Sequence, residues 1–110
     1  MIEVDFGDVV TVRVHNSLGN ASTSIHWHGI SMNGTSVYDG AVGTTQCAIG
    51  PGENYTYHFA AKPAGTHWYH SHYQGQFPDG LRGKLIVHEH NWEVSEGFSA
   101  GQEIITVSDW

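Results

Sequence analysis

Two short stretches hold the residue types best suited to chemistry, His26-Trp27-His28-Gly29 and His70-Ser71-His72. In each, one residue separates two histidines. In an extended strand, residues i and i+2 point to the same face. Each pair can therefore aim two imidazoles at one spot, and two such strands side by side would converge four. Neutral imidazoles gathered in a small volume hold a transition metal. A single histidine in a strand is more often structural than a ligand. Two pairs, each embedded in aromatics, shift that balance. Trp27, Trp68 and Tyr69 are expected to wall off the site and keep it rigid.

The other histidines carry less weight. His67 has opposite parity to His70, so a straight strand points it away from the site, and it reads as structural or surface. His88 and His90 form another i,i+2 pair, but at a strand end beside Glu89 and without aromatic support. A solvated strand end is favoured there over a weak adventitious metal site. His15 and His58 fall on polar strand faces and read as surface residues. The choice of metal is a separate matter. There is no Cys-x-x-Cys, which excludes a thiolate zinc site. No carboxylate sits at ligand spacing within either pair. All-imidazole sites suit copper or zinc, and copper binds more tightly in the divalent series, but spacing alone leaves both open.

The elements that must position these residues read as strands. Ile2 to Val4 is a short one. Asp8 to Asn16 alternates, with Val10, Val12 and Val14 on one face and Val9, Thr11, Arg13 and His15 on the other. Thr23 to His28 carries the first histidine pair. A long loop, Gly29 to Gly43, holds the turn dipeptides Asn33-Gly34 and Asp39-Gly40. Thr44 to Ile49 reads as a short strand. Glu53 to Ala60 alternates again, with Tyr55, Tyr57 and Phe59 on one face. Thr66 to His72 carries the second pair, and Gly83 to Glu89 is an apolar strand. His90 to Gly101 reads as a linker and Gln102 to Ser108 as a last strand. No stretch has helical periodicity. Seven or eight short strands with regular turn signals predict an all-β fold, a β-sandwich or Greek-key barrel.

Composition agrees. A chain of 110 residues with 39% hydrophobic and 14% charged residues suits one β-rich domain with a modest core. The formal net charge of −7, with no Lys/Arg cluster, argues against nucleic acid as a partner. No apolar run reaches transmembrane length and no signal peptide opens the chain, so no membrane partner is expected. Cys47 has no second cysteine to pair with and is expected to be a buried, small apolar residue. Three sequons, at Asn20, Asn33 and Asn54, hint at a secreted parent protein.

Taken together, His26-Trp27-His28-Gly29, Tyr38-Asp39-Gly40, Thr45-Gln46-Cys47, Pro51-Gly52, Gly65-Thr66, Trp68-Tyr69-His70-Ser71-His72 and Asp79-Gly80-Leu81-Arg82-Gly83 resemble the first cupredoxin domain of multicopper oxidases, in the manner of fungal laccases. The resemblance covers nearly the whole chain. It implies a plastocyanin-like Greek-key β-barrel. It implies that His26 binds a type 2 copper and that His28, His70 and His72 bind a type 3 pair. These would be half of the eight ligands of a trinuclear copper cluster, where O2 is reduced to water with electrons from phenolic small molecules. Ferroxidase and ascorbate-oxidase relatives share the two histidine motifs.

The resemblance also marks departures. The other four cluster ligands, a late His-x-His and His-Cys-His, have no counterpart here, and neither does a Cys–His–Met set for a type 1 copper. Cys47 matches a cysteine that some fungal laccases join by a disulfide to their far C-terminal region. The second cysteine that basidiomycete laccases carry in this domain would fall near Pro78, and it is missing. His67 stands where an aromatic or other uncharged residue is usual. The expected division is a cupredoxin-like domain over 1–90 with its first strand missing, a linker over 91–101, and the opening strand of a truncated second domain over 102–110. Met1 would then be an added start residue. Such a piece would be catalytically incomplete alone. The alternative expectation is a metal-binding β-module that self-associates as a homo-oligomer, with copper or zinc at its histidine pairs or with empty sites. Exposed strand edges and apolar surface would favour that association.

Overall fold

The computed structural model describes residues 1–89 and 103–108. The described residues form six strands in two sheets. These are β1 (Ile2–Asp5), β2 (Val9–His15), β3 (Ile25–His28), β4 (Asn54–Ala60), β5 (Gly65–Ser71) and β6 (Arg82–His88). The first sheet has the order β1-β6-β5-β3, with β1 parallel to β6 and the other pairs antiparallel. The second is the antiparallel pair β2-β4. A 3₁₀ turn, Ser36–Tyr38, lies in the loop after β3. The expected all-β class is what the chain adopts.

The core lies between the sheets and follows from alternation. On β2, Val10 is buried while Val9 and Thr11 are exposed; on β4, Tyr57 and Phe59 are buried while Thr56 and His58 are exposed. They meet Trp27 of β3 and Leu85 and Val87 of β6. Trp27 packs on Phe59 and Tyr57 with ring centroids 4.8 and 5.5 Å away. The Tyr57 hydroxyl accepts from the Ile25 amide at 2.8 Å, at the start of β3. That bond ties the strand carrying the first histidine pair to the opposite sheet.

Several expectations need correction. Thr44 to Ile49 forms no strand; only the isolated bridges Val42↔Gln46 and Thr23↔Ile49 occur there. The cause is local, because Gly43, Thr44, Thr45 and Gln46 fold into a turn around Ala41 and Gln46 carbonyls. Cys47 follows this turn and is exposed, not buried. Among the described residues the segment 103–108 has no ladder partner either; its Ile104 carbonyl and Ser108 hydroxyl are held by the Lys84 and Arg82 side chains instead. A strand needs a neighbouring backbone, and side chains do not supply one. Residues 90–102, with His90 and the expected linker, lie outside the described residues, as do 109–110.

Candidate metal centre

The two histidine strands are neighbours. β3 and β5 pair antiparallel with His26 opposite His70 and His28 opposite Trp68. Trp27 is a core residue, so alternation puts His26 and His28 on the outer face of the four-stranded sheet. The same rule corrects the expected aromatic wall. Trp27 and Tyr69 lie on the inner face, with rings 5.6 Å apart, and support the site from behind. Trp68 alone of the three shares the histidine face, its ring 4.3 Å from His70 and 5.2 Å from His28. Phe77, from the loop after β5, covers His70 at 5.0 Å.

His26, His28 and His70 each offer a ring nitrogen within 4.8 Å of the others. His72, one residue past the end of β5, stands beside this group with its ring 5.5 Å from His26 and 6.2 Å from His70. All four predicted imidazoles are thus brought to one face, three of them as a tight group. His70 is buried, His26 half-buried, and His28 and His72 exposed.

Hydrogen bonds settle two tautomers. Nδ1 of His26 lies 2.7 Å from the Asp39 carbonyl, and Nδ1 of His70 lies 2.9 Å from the Ser71 carbonyl. A carbonyl only accepts, so both Nδ1 atoms carry a proton, and in the neutral ring Nε2 is the atom with the free lone pair. This is the outer-shell arrangement that orients metal-ligating histidines. Nε2 of His70 faces Nδ1 of His28 at 3.4 Å. Two nitrogens each about 2.0–2.1 Å from one tetrahedral ion would be separated by a similar distance. The donor set within the group is all imidazole, which suits copper or zinc.

Burial lowers the His70 pKa from its ordinary value of 6.5; the Ser71 carbonyl opposes the shift, and His26, His28 and His72 add to it. The buried ring therefore stays neutral, the form that ligates. The Asp39 carboxylate also approaches His26, with Oδ1 3.5 Å from Nδ1. Asp39 reaches that position because Gly40 follows it with φ +85°. A Cβ on Gly40 would overlap the Ile25 carbonyl, so only glycine lets the turn lie against β3.

The other described histidines lie apart from the group. His67 bonds the Pro63 carbonyl through Nε2 at 2.9 Å, and its Nδ1 lies 2.6 Å from where a Cβ on Gly29 would stand. It packs the turn before β5 onto the residue after His28. His58 bonds Thr11, His15 bonds Asn54, and His88 pairs with Glu3 across β6 and β1 at 3.2 Å. Two site residues escaped the sequence reading. Asp39 acts on His26 partly through a main-chain carbonyl, which no residue type announces, although its neighbour Gly40 was a signal. Gln76, in the loop after β5, bonds Thr23, Ser71 and Ser22 and had no signal at all.

Comparison with known proteins agrees with this geometry. The family model described as multicopper oxidase matches residues 1–91. An iron transport multicopper oxidase of Gibberella zeae is 49% identical over 109 residues, covering 99% of this chain and 17% of that protein. Laccase-2 of Cryptococcus neoformans var. grubii is 44% identical over 112 residues, covering 100% of this chain and 19% of that protein. The crystal structure of the laccase from Botrytis aclada superposes with a TM-score of 0.78 at 49% identity, over 79% of this chain and 16% of that one. The chain spans less than a fifth of the length of these relatives. Its fold is cupredoxin-like, and the chain belongs to the multicopper oxidase family.

Proposed function

We propose that this chain is the copper-binding N-terminal domain of a laccase-type oxidase, and that it contributes half of the ligands of a trinuclear copper cluster. The observation that carries this reading is the convergence of His26, His28 and His70 on one sheet face, each with a ring nitrogen within 4.8 Å of the others, while carbonyls hold Nδ1 of His26 and His70. In this reading His26 holds the type 2 ion, and His28, His70 and His72 hold the type 3 pair. Copper held there supplies one-electron redox chemistry toward O2. The work of this chain's own residues is positional. Asp39 and Ser71 hold the protons of His26 and His70 on Nδ1. His28 must move any proton on Nδ1 to Nε2 to ligate through the atom that faces His70. Trp68 and Phe77 pack against His70 and keep water from its ring.

The parent protein would couple oxidation of phenolic donors to four-electron reduction of O2 to water, outside the cell. Three exposed sequon asparagines fit such a location. Residues 1–90 would be the cupredoxin domain, 91–101 a linker and 102–110 the opening of a second domain. The histidine face lies on the outside of its sheet, so further ligands would come from another body packed there. In the isolated chain a second copy could cover part of that face, and we propose a homo-oligomer. Equilibrium dialysis against Cu(II) tests the site: the wild-type chain should retain copper that His26→Ala and His70→Ala lose. Failure of the wild type to retain copper overturns the assignment. Robust turnover of a phenolic donor by this chain alone would overturn its incompleteness.

A further inference from the structure

We infer that Gln76 is a positioning residue, a clasp that fixes His72 and the ends of both histidine strands through its side-chain amide. Gln76 Oε1 accepts from Thr23 Oγ1 at 2.8 Å and from Ser71 Oγ at 2.7 Å. Its Nε2 donates to the Ser22 carbonyl at 2.7 Å. The Ser22 carbonyl only accepts, which fixes the amide orientation. Ser22 and Thr23 precede β3 and its His26, while Ser71 ends β5 between His70 and His72. One side chain thus joins the entry of the first strand to the exit of the second.

His72 needs this because it lies beyond the β3–β5 ladder. Its amide bonds the Ser24 carbonyl at 3.3 Å, just beyond the usual range for such a bond. On its other side, the Tyr73 amide donates to the same Ser71 Oγ that bonds Gln76. The Gln76 main chain closes the loop, with its carbonyl accepting from Leu81, whose own carbonyl accepts from the Ser71 amide. Thr23 and Ser71 are both buried, so removing the Gln76 amide takes away the acceptor to which both hydroxyls donate. Gln76 itself is not among the three grouped ligands. Its influence on the centre runs through Ser71 and the path of the chain at His72.

The test compares the full chain with Gln76→Leu and Gln76→Glu; its copper arm rests on the proposed metal centre, and its exchange arm does not. In Gln76→Leu, amide hydrogen exchange at His72 and Tyr73 should rise by about tenfold or more, while that of Val12 and Tyr57 stays unchanged. Cu(II) affinity should fall by about 10–100-fold, the range for residues that orient ligands. Gln76→Glu keeps both acceptor roles and should recover part of each loss. Unchanged exchange at His72 and Tyr73 overturns the inference. So does a uniform rise across all strands, or copper affinity that is unchanged where exchange has risen. If the wild-type chain binds no copper but the exchange pattern appears, the clasp stands and the copper assignment falls. Should Gln76→Leu fail to fold, Thr23→Val and Ser71→Ala, each removing one hydroxyl, put the same question.

Discussion

His26 and His70 stand directly opposite each other across β3 and β5, with ring centroids 5.4 Å apart. Everything at the centre depends on that register. A slip of one residue would turn one imidazole into the core and bring Trp27 or Tyr69 outward. The Tyr57 hydroxyl on the Ile25 amide and the buried Trp27 ring hold β3 against such a slip.

Removing either of these imidazoles should be worse than disturbing a residue that merely orients one. His26→Ala and His70→Ala are expected to lower Cu(II) affinity by at least ~10–100-fold. Competition titration against a chelator reads this directly. His15→Ala, at a surface pair with Asn54, should leave the affinity unchanged.

Gly40→Ala should destabilise the fold and loosen His26 together. A non-glycine residue at φ +85° carries strain of about 1–3 kcal/mol, and the added Cβ meets the Ile25 carbonyl as well. A lowered urea midpoint with an unchanged m-value is the expected result.

Acid should weaken the metal-free fold through His70. Burial pulls the folded pKa of His70 below the ordinary 6.5, so the unfolded chain takes up the proton first. The contribution is therefore fully present above about 6.5 and is lost as pH falls from there through the lower folded value. His70→Gln should flatten this part of the stability-against-pH curve. Copper binding should weaken over the same acid range, because protons compete for imidazole.

Copper should quench Trp68 before Trp27, since the Trp68 ring shares the histidine face, 4.3 Å from His70 and 5.2 Å from His28. Trp68→Phe is expected to remove most of the copper-dependent quenching while leaving the strands intact by circular dichroism. Quenching of undiminished size in that variant would place the bound ion elsewhere.

Sedimentation at micromolar concentration should show an oligomer of the isolated chain. Met1, Val9, Val37, Ile105 and Val107 are all well exposed, and such apolar surface favours association. A strictly monomeric mass would count against self-association.

Much of this was legible from residue types. The two histidine pairs work because strand periodicity is two, and the same periodicity places Val10, Tyr57 and Phe59 in the core. It should also have placed Trp27 and Tyr69 there, since each alternates with a histidine that faces out. What residue types did not carry was the second layer of support. The Asp39 carbonyl could belong to any residue. The Gln76 amide matters only because the loop returns it to Thr23 and Ser71, a closure set by the tertiary path. Thr44 to Ile49 looked like a strand by composition, yet it has no neighbouring backbone except two isolated bridges.

The four residues Ile25-His26-Trp27-His28 assign every odd position to packing and every even one to the proposed metal centre. Two sets of instructions are thus interleaved in one short segment without sharing a side chain. An engineer could retune hydrophobic contacts at Ile25 or Trp27 to raise heat tolerance, and exchange ligands at His26 or His28 to change the ion, as separate projects. The strand's backbone would be their common constraint.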